Sequence, residues 1–216
     1  MEKPILFSTE MVKAILEGRK TQTRRVIKDV STDVVKFNQN GNSWDLMFEN
    51  NGVLYPKSWS IKPKYQVGDM LYVRETWATN KDCDNVKPSN LSECVEIYYT
   101  DGEKRESKGG LHFHGMHQSL ERGKTRPNIF MPKWAARIWL QVTSVRVERV
   151  QDIDWDDALA EGVEHDVESG YYGPSYLQPS GMNPVEAFEY LWDSINKKRG
   201  FGWDKNTWVY AYEVKV

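Results

Sequence analysis

Cysteine is nearly missing from this 216-residue chain, which holds only Cys83 and Cys94. Two cysteines at that spacing build neither a disulfide scaffold nor a paired metal or thioredoxin-like motif, so reduced thiols in a cytoplasmic protein are expected. Long hydrophobic runs are missing too. No stretch approaches the ~20 apolar residues of a membrane span, and no cationic segment followed by an apolar run opens the sequence, so no membrane association is expected. Bulk charge is also small: 29 basic against 31 acidic residues leave a net charge of -2. A broad electrostatic binder of nucleic acid is thereby excluded, and any such binding is confined to a local patch. The chain has no internal repeat, Walker loop, dinucleotide glycine loop, HExxH or nucleophile elbow. Kinase, dehydrogenase and zinc-protease chemistry therefore lack support, and no cofactor is expected.

What is present describes a folded chain with a polar surface. Charged residues make up 28% and aromatics 12%, including nine tryptophans, so the low mean hydropathy of -0.68 does not signal disorder. The positive charge gathers near the N-terminus. Arg19, Lys20, Arg24, Arg25 and Lys28 fall within ten positions that hold no acid, interleaved with the hydroxyls of Thr21 and Thr23. Such a cluster on a nearly neutral protein is a candidate anion site, with the phosphates of a nucleic acid or nucleotide as the natural class. An ordinary solvated basic face is the competing reading. Its setting favours a fixed site: Ser8 can cap a helix over residues 9–17, Met11, Val12, Ile15 and Leu16 share one face, and Gly18 can stop it.

Downstream the pattern is mostly strand. Asn40-Gly41 between 34–37 and 44–48, and Asn51-Gly52 before 53–55, predict an antiparallel meander with Trp44, Leu46 and Phe48 on one face. Residues 56–66 read as a connector. A strand over 70–77 ends in Arg74, Glu75, Thr76 and Trp77, whose acid and base are either a satisfied salt bridge or a site wall. Val95 to Tyr99 with Asp101-Gly102 reads as a strand entering a hairpin. Residues 103–126 read as an excursion; its His112, His114 and His117 lack the cysteine or acid at motif spacing that a metal site uses, so no metal is expected. Ile138, Leu140 and Val142 differ in parity from Val145 and Val147, which predicts a bulge near Thr143-Ser144, a device suited to a small barrel.

Asp154 can cap a helix to about Glu161, with Gly162 as its stop. A polar loop over 165–182 carries Tyr171, Tyr172 and Tyr176, either packed or stacking. Asn183-Pro184-Val185-Glu186 starts a helix that ends near Asn196 and buries Phe188, Leu191, Trp192 and Ile195. Lys197-Lys198-Arg199-Gly200-Phe201-Gly202-Trp203 is a second basic patch, suited to clamping a base or sugar-phosphate and equally to a loop pinned by tryptophan. The aromatic closing strand from Trp208 should be integral to a sheet.

Gly18 to Arg25, Gly68-Asp69 leading into Leu71 to Trp77, the strand from Arg137 to Val150 and the strand from Trp208 together resemble the ASCH domain, in particular its larger bacterial and prophage-borne members. The resemblance spans nearly the whole chain. It implies an α+β fold, a PUA-like mixed β-barrel with flanking helices, in one domain over residues 1–216 with an irregular insertion at about 78–130. It also implies a cleft that binds RNA or a modified nucleoside or nucleotide. The family includes small bacterial amidohydrolases that remove the acyl group from N4-acetylcytidine, and members described as ribonucleases. The amidohydrolase pattern puts a lysine and a threonine on Lys20 and Thr23, and a glutamate in a later strand. That position falls near Gln141, which is not ionisable, and Glu75 is the nearest carboxylate by motif. The resemblance thus implies a catalytic set of Lys20, Thr23 and Glu75. Around the ligand it places Arg19, Thr21, Arg24, Arg25, Arg74, Trp77, Gln141 and Trp203, with cations on phosphates, threonines on a base or ribose and tryptophan stacking. A non-catalytic RNA-binding module and a prophage-associated structural or interaction protein are the alternatives.

Overall fold

The computed structural model describes residues 1–28, 30, 34–93, 95–106, 112–113, 116–117, 121–166, 171–172 and 183–216, with backbone alone at 58–59, 112–113, 116–117, 165–166 and 171–172. β1 (Glu2–Leu6) and α1 (Thr9–Leu16) open the chain. The Ser8 hydroxyl accepts from the Met11 N–H, and Val12, Ala14 and Ile15 turn inward. Gly18, at φ 74°, then turns the chain in a conformation that a side chain would resist. β2 (Gln22–Val26) precedes the expected meander of β3 (Val34–Asn40), β4 (Ser43–Asn50) and β5 (Val53–Ile61). Its second turn is Asn51-Gly52, both residues at positive φ, as a primed two-residue hairpin requires. β5 runs on through Pro56, which pairs with Met47, into the segment expected to be a connector. As an outer strand of the meander, β5 can accept a proline whose missing N–H faces away from the ladder.

β6 (Met70–Arg74) and β7 (Trp77–Thr79) divide what reads as one strand in the sequence. β8 (Ile97–Tyr99) and β9 (Lys104–Arg105) join β7 in a three-stranded sheet, and β10 (His112–Phe113) pairs with β11 (Met116–His117). β12 (Trp139–Arg149) carries the expected irregularity, a register shift between Val142 and Ser144 that keeps Leu140, Val142 and Val145 all buried despite their change of parity. α2 (Trp155–Ala160) is capped by the Asp154 carboxylate, which accepts from the Asp157 N–H at 2.8 Å. β13 (His165–Asp166) pairs with β14 (Tyr171–Tyr172). α3 (Pro184–Asn196) has the full capping box: Asn183 accepts from Val185 and Glu186, and Glu186 accepts from the Asn183 N–H. Its buried face is Ala187, Phe188, Trp192 and Asn196, whereas Ile195, expected inside, is exposed. The inward place in the last turn goes to Asn196, whose amide bonds to the Trp192 carbonyl. β15 (Trp208–Lys215) closes the chain within the main sheet, as expected.

The fold is mixed α+β, mostly strand, with three α-helices among the described residues. The main sheet has the hydrogen-bonding order β1-β6-β12-β15-β2, parallel between β1 and β6 and antiparallel along β12, β15 and β2. β1 and β2 end that order without pairing, so the barrel expected from the resemblance does not close among the described residues. The lead-in to β2 has a different edge partner: Lys20 bridges Glu161 and the Thr21 N–H donates to the Ala160 carbonyl at 2.8 Å.

The chain divides into two compact units. The first comprises residues 1–16, 70–140 and 216, and one of its core clusters gathers Trp77, Leu91, Val95, Ile97, Tyr99, Met131 and Ala135. The second comprises residues 17–69 and 141–215, where α2 and α3 pack Ala158, Ala187, Phe188 and Trp192 with Val150, Ile153, Val163 and Val209. Among the described residues no helix is long and apolar enough to cross a membrane.

Candidate functional site

Lys20 is held at both its backbone and its tip. Nζ donates to the Glu161 carbonyl at 2.6 Å and to Glu161 Oε2 at 2.8 Å. The two side chains are only 1% and 4% exposed. Burial pushes the Lys20 ammonium below its ordinary value; Glu161 opposes that, and the positive charges of Arg25 and Arg24 add to it. Glu161 is delivered by the end of α2, where its N–H returns to the Asp157 carbonyl and Gly162, at φ 91°, turns the chain. From the sequence, Glu161 is only the last residue of a short capped helix. Its meaning lies in a partner 141 residues earlier, which no local signal marks.

Side chains alternate along β2, and the two faces do different things. Gln22 and Arg24 share a face with Glu213 and Ala211, their partners on β15. Arg24 donates to Glu148 at 2.6 Å, Asp157 at 2.5 Å, Glu161 at 3.3 Å and Gln22. Arg146 donates to Asp157 at 2.9 Å and to Glu213, and Gln22 donates to Asp157 at 2.9 Å. With Lys20, these arginines and four carboxylates form one network. Burial works against the Asp157 carboxylate, but Gln22 and the arginines hold its pKa below the ordinary range. Arg19, too, meets Glu17 at 2.6 Å. Three cations of the run that holds no acid in sequence, Arg19, Lys20 and Arg24, are therefore matched by acids in space. Arg24 is a structural cation committed to three carboxylates, so the expected phosphate contact is not available from it.

Thr23 and Arg25 take the opposite face of β2, across from Tyr212 and Tyr210. Tyr65 packs edge-on against Tyr212 at 5.3 Å between ring centroids, and Trp44 against Tyr210 at 6.0 Å. These aromatics and Thr23 are buried. Burial pushes the Tyr210 hydroxyl up to about 12 and raises that of Tyr212 as well. Arg25 is half-buried; burial lowers its pKa, Tyr65, Glu161 and Tyr212 raise it, and Arg199 lowers it. Lys20, Glu161, Thr23 and Arg25 thus all lie in the second unit, with Thr23 and Arg25 on its aromatic face.

Glu75 lies in the first unit, with a different partner. It is buried, and Arg137 donates to its two oxygens at 2.9 and 2.8 Å while lying 4.0 Å from the Tyr99 ring centroid. Arg137 also donates to Asp101 at 2.6 Å and to Glu103. Burial raises the Glu75 pKa and Arg137 opposes the rise; for Arg137, burial would lower the pKa, and its bonds to Glu75 and Asp101 raise it. Of the two readings of the acid and base here, the salt bridge is the one found, with Arg137 in place of Arg74. Arg137→Leu is expected to cost about 3–5 kcal/mol, because it strands a buried carboxylate. Urea unfolding measures this, and a loss under about 1 kcal/mol would show Glu75 to be well solvated.

The remaining expected ligand contacts are spread out. Trp77 is fully buried in its cluster and has no open face for stacking. Arg74 lies over the Tyr72 ring and donates to the Ile129 carbonyl at 3.1 Å. Trp203 is half-buried against Phe188, and Gln141 is half-buried opposite Lys215. Thr21 is exposed, with its backbone pairing to Ala160 and Val214. Cys94, His114 and Tyr176 lie outside the described residues, as do the side chains of His112, His117, Tyr171 and Tyr172. Among the described residues no group of three or more His, Cys, Asp or Glu is placed to hold a metal ion. The chain matches no family model, no curated protein and no solved structure.

Proposed function

We propose that this protein binds a modified nucleoside or nucleotide and hydrolyses the exocyclic amide of an N4-acylated cytidine, with Lys20, Thr23 and Glu161 as its working groups in a PUA-like setting. The observation that carries the reading is the buried Lys20–Glu161 pair, at 2.8 Å, in the same unit as Thr23. The amidohydrolase pattern asks for a carboxylate with the lysine and threonine. Glu161 supplies it at a helix end, whereas Glu75 is engaged by Arg137 and Gln141 has no charge to give.

Amide hydrolysis adds water across a C–N bond. It needs an oxygen nucleophile at the acyl carbon, an acceptor for its proton, compensation for the oxyanion and a proton for the leaving nitrogen. In this reading Thr23 aligns a water and Lys20, as the neutral amine, accepts its proton while the oxygen attacks. The ammonium so formed faces the oxyanion. It then returns the proton to N4 as the C–N bond breaks, releasing cytidine and a carboxylic acid. Glu161 holds Lys20 in place, and burial favours its neutral form.

The test is incubation with N4-acetylcytidine, followed by mass spectrometry, with calorimetric binding in parallel. Loss of the acetyl mass is the expected result. Binding without turnover would turn the reading into a nucleoside- or RNA-binding module, and neither binding nor turnover would end it.

A further inference from the structure

We infer that Tyr210 sets the specificity of the nucleoside site, its hydroxyl donating to the ring carbonyl of the bound pyrimidine. The inference rests on the nucleoside reading above and adds to it a residue outside the hydrolytic set.

The ring of Tyr210 is fixed, but its hydroxyl is not engaged. On β15 its backbone pairs with Arg25 of β2, and its ring meets Trp44 edge-on at 6.0 Å and Tyr212 at 5.9 Å between centroids. The residue is only 8% exposed. A buried tyrosine hydroxyl ordinarily finds a partner, because an unpaired one gives up its bonds to water without replacement. Three other buried tyrosines follow that rule: Tyr99 donates to the Ala135 carbonyl at 3.0 Å, Tyr72 accepts from Arg74 at 3.4 Å, and Tyr212 is hydrogen-bonded to the Tyr65 backbone. Tyr210 has no such bond among the described residues, and burial alone pushes its hydroxyl up to about 12. The phenol therefore keeps its proton at neutral pH and can serve as a donor.

Thr23 is in the same condition one step away. It is 3% exposed, and among the described residues its hydroxyl has no hydrogen-bond partner either. Thr23 pairs with Tyr212, so Thr23 and Tyr210 are diagonal neighbours on paired strands and share a face. Such neighbours stand roughly 7–8 Å apart, within reach of a long side chain. Two buried hydroxyls without protein partners, set on one face of a paired ladder, suit a ligand that has polar atoms at two points. An acylated cytosine has that form, with the exocyclic amide at one end and the C2 carbonyl further round the ring. If the acyl group lies at Thr23, as the hydrolytic reading requires, the ring carbonyl is left for Tyr210. A buried donor that only the ligand satisfies also discriminates, because a ring lacking the acceptor leaves the hydroxyl unpaired.

The experiment measures calorimetric affinities of the wild-type protein and a Tyr210→Phe variant for N4-acetylcytidine and for its 2-thio analogue, whose sulfur is a much weaker acceptor, with a thermal melt of each protein. Tyr210→Phe should weaken binding of N4-acetylcytidine about tenfold, the loss of one buried hydrogen bond. Binding of the 2-thio analogue should stay within about twofold of the wild-type value, and the difference between the two ligands is the coupling that a merely structural tyrosine would not show. The melting temperature should hold or rise, since no bond within the protein is removed. A fall in the melting temperature would mean that the hydroxyl is bonded within the protein, and it overturns the inference. An affinity unmoved by Tyr210→Phe, or lowered equally for both ligands, also overturns it while leaving the nucleoside reading in place. Tyr210-dependent binding of N4-acetylcytidine without deacylation supports the inference and removes the hydrolytic reading. Binding of neither ligand by the wild-type protein ends both.

Discussion

Glu161→Ala is expected to destabilise the protein by about 3–5 kcal/mol, because it strips the counterion from a lysine with almost no access to water. Arg24 loses less, since Glu148 and Asp157 still hold it. The variant should also acquire a pH dependence whose sign is fixed. Burial already lowers the Lys20 pKa, and Glu161 is the group that opposes the lowering. Without it, the folded-state value falls further below that of the unfolded chain. Between the two values the unfolded chain holds the proton and the folded protein does not, so stability rises with pH across that window. The deficit should therefore be larger at about pH 7 than at about pH 10 in denaturant unfolding. Lys20→Met with Glu161→Leu removes both charges and should recover most of the loss, which a double-mutant cycle isolates. A single-variant loss below about 1 kcal/mol, or a double variant no better than the single, would mean that the two groups are not a buried pair.

The elements legible in the sequence are those whose signals are local. Asn183, Pro184 and Glu186 announce the start of α3 by capping chemistry alone, Gly18 and Asn51-Gly52 announce turns by their backbone freedom, and the parity change after Val142 announces the bulge. Strand pairing is different in kind. That β1 lies parallel to β6, and that β2 ends the sheet against the end of α2, depends on partners remote in the chain, and so the open edge is invisible to pattern reading. Pro56 misleads for a related reason: its cost depends on whether its strand is outer or central, which only the completed sheet decides.

The same division runs through the site. Lys20 and Thr23 belong to one short motif and can be singled out together. Glu161 cannot, because it becomes the partner of Lys20 only when α2 is laid along the lead-in to β2. A window without acids suggests free positive charge, yet Glu148, Asp157 and Glu161 come from β12, α2 and the residue after it. Charge density along a chain is a weak guide to charge density in space, since a sheet edge and a helix end can supply the counterions from anywhere. Thr23 and Arg25 lie on the other face of β2, across from Tyr212 and Tyr210.

Lys20→Ala is expected to lower kcat for deacylation of N4-acetylcytidine by about 10²- to 10⁴-fold, the range that a positioned general base contributes, with a smaller change in KM. The pH profile gives a sharper readout than the loss itself. If the neutral amine of Lys20 accepts the proton, the wild-type rate rises with pH through the folded-state pKa of Lys20, which burial places below the ordinary lysine value. Glu161→Gln removes the charge that opposes this lowering, so its rising limb should move to lower pH even as its rate falls from the loss of positioning. Lys20→Arg should not rescue the rate, because a guanidinium keeps its proton throughout the accessible range. These outcomes separate a base from a structural lysine, whose removal would change stability and leave the shape of the profile alone. A Lys20→Ala enzyme with the wild-type limb at the wild-type pH would take the proton-accepting role away from Lys20.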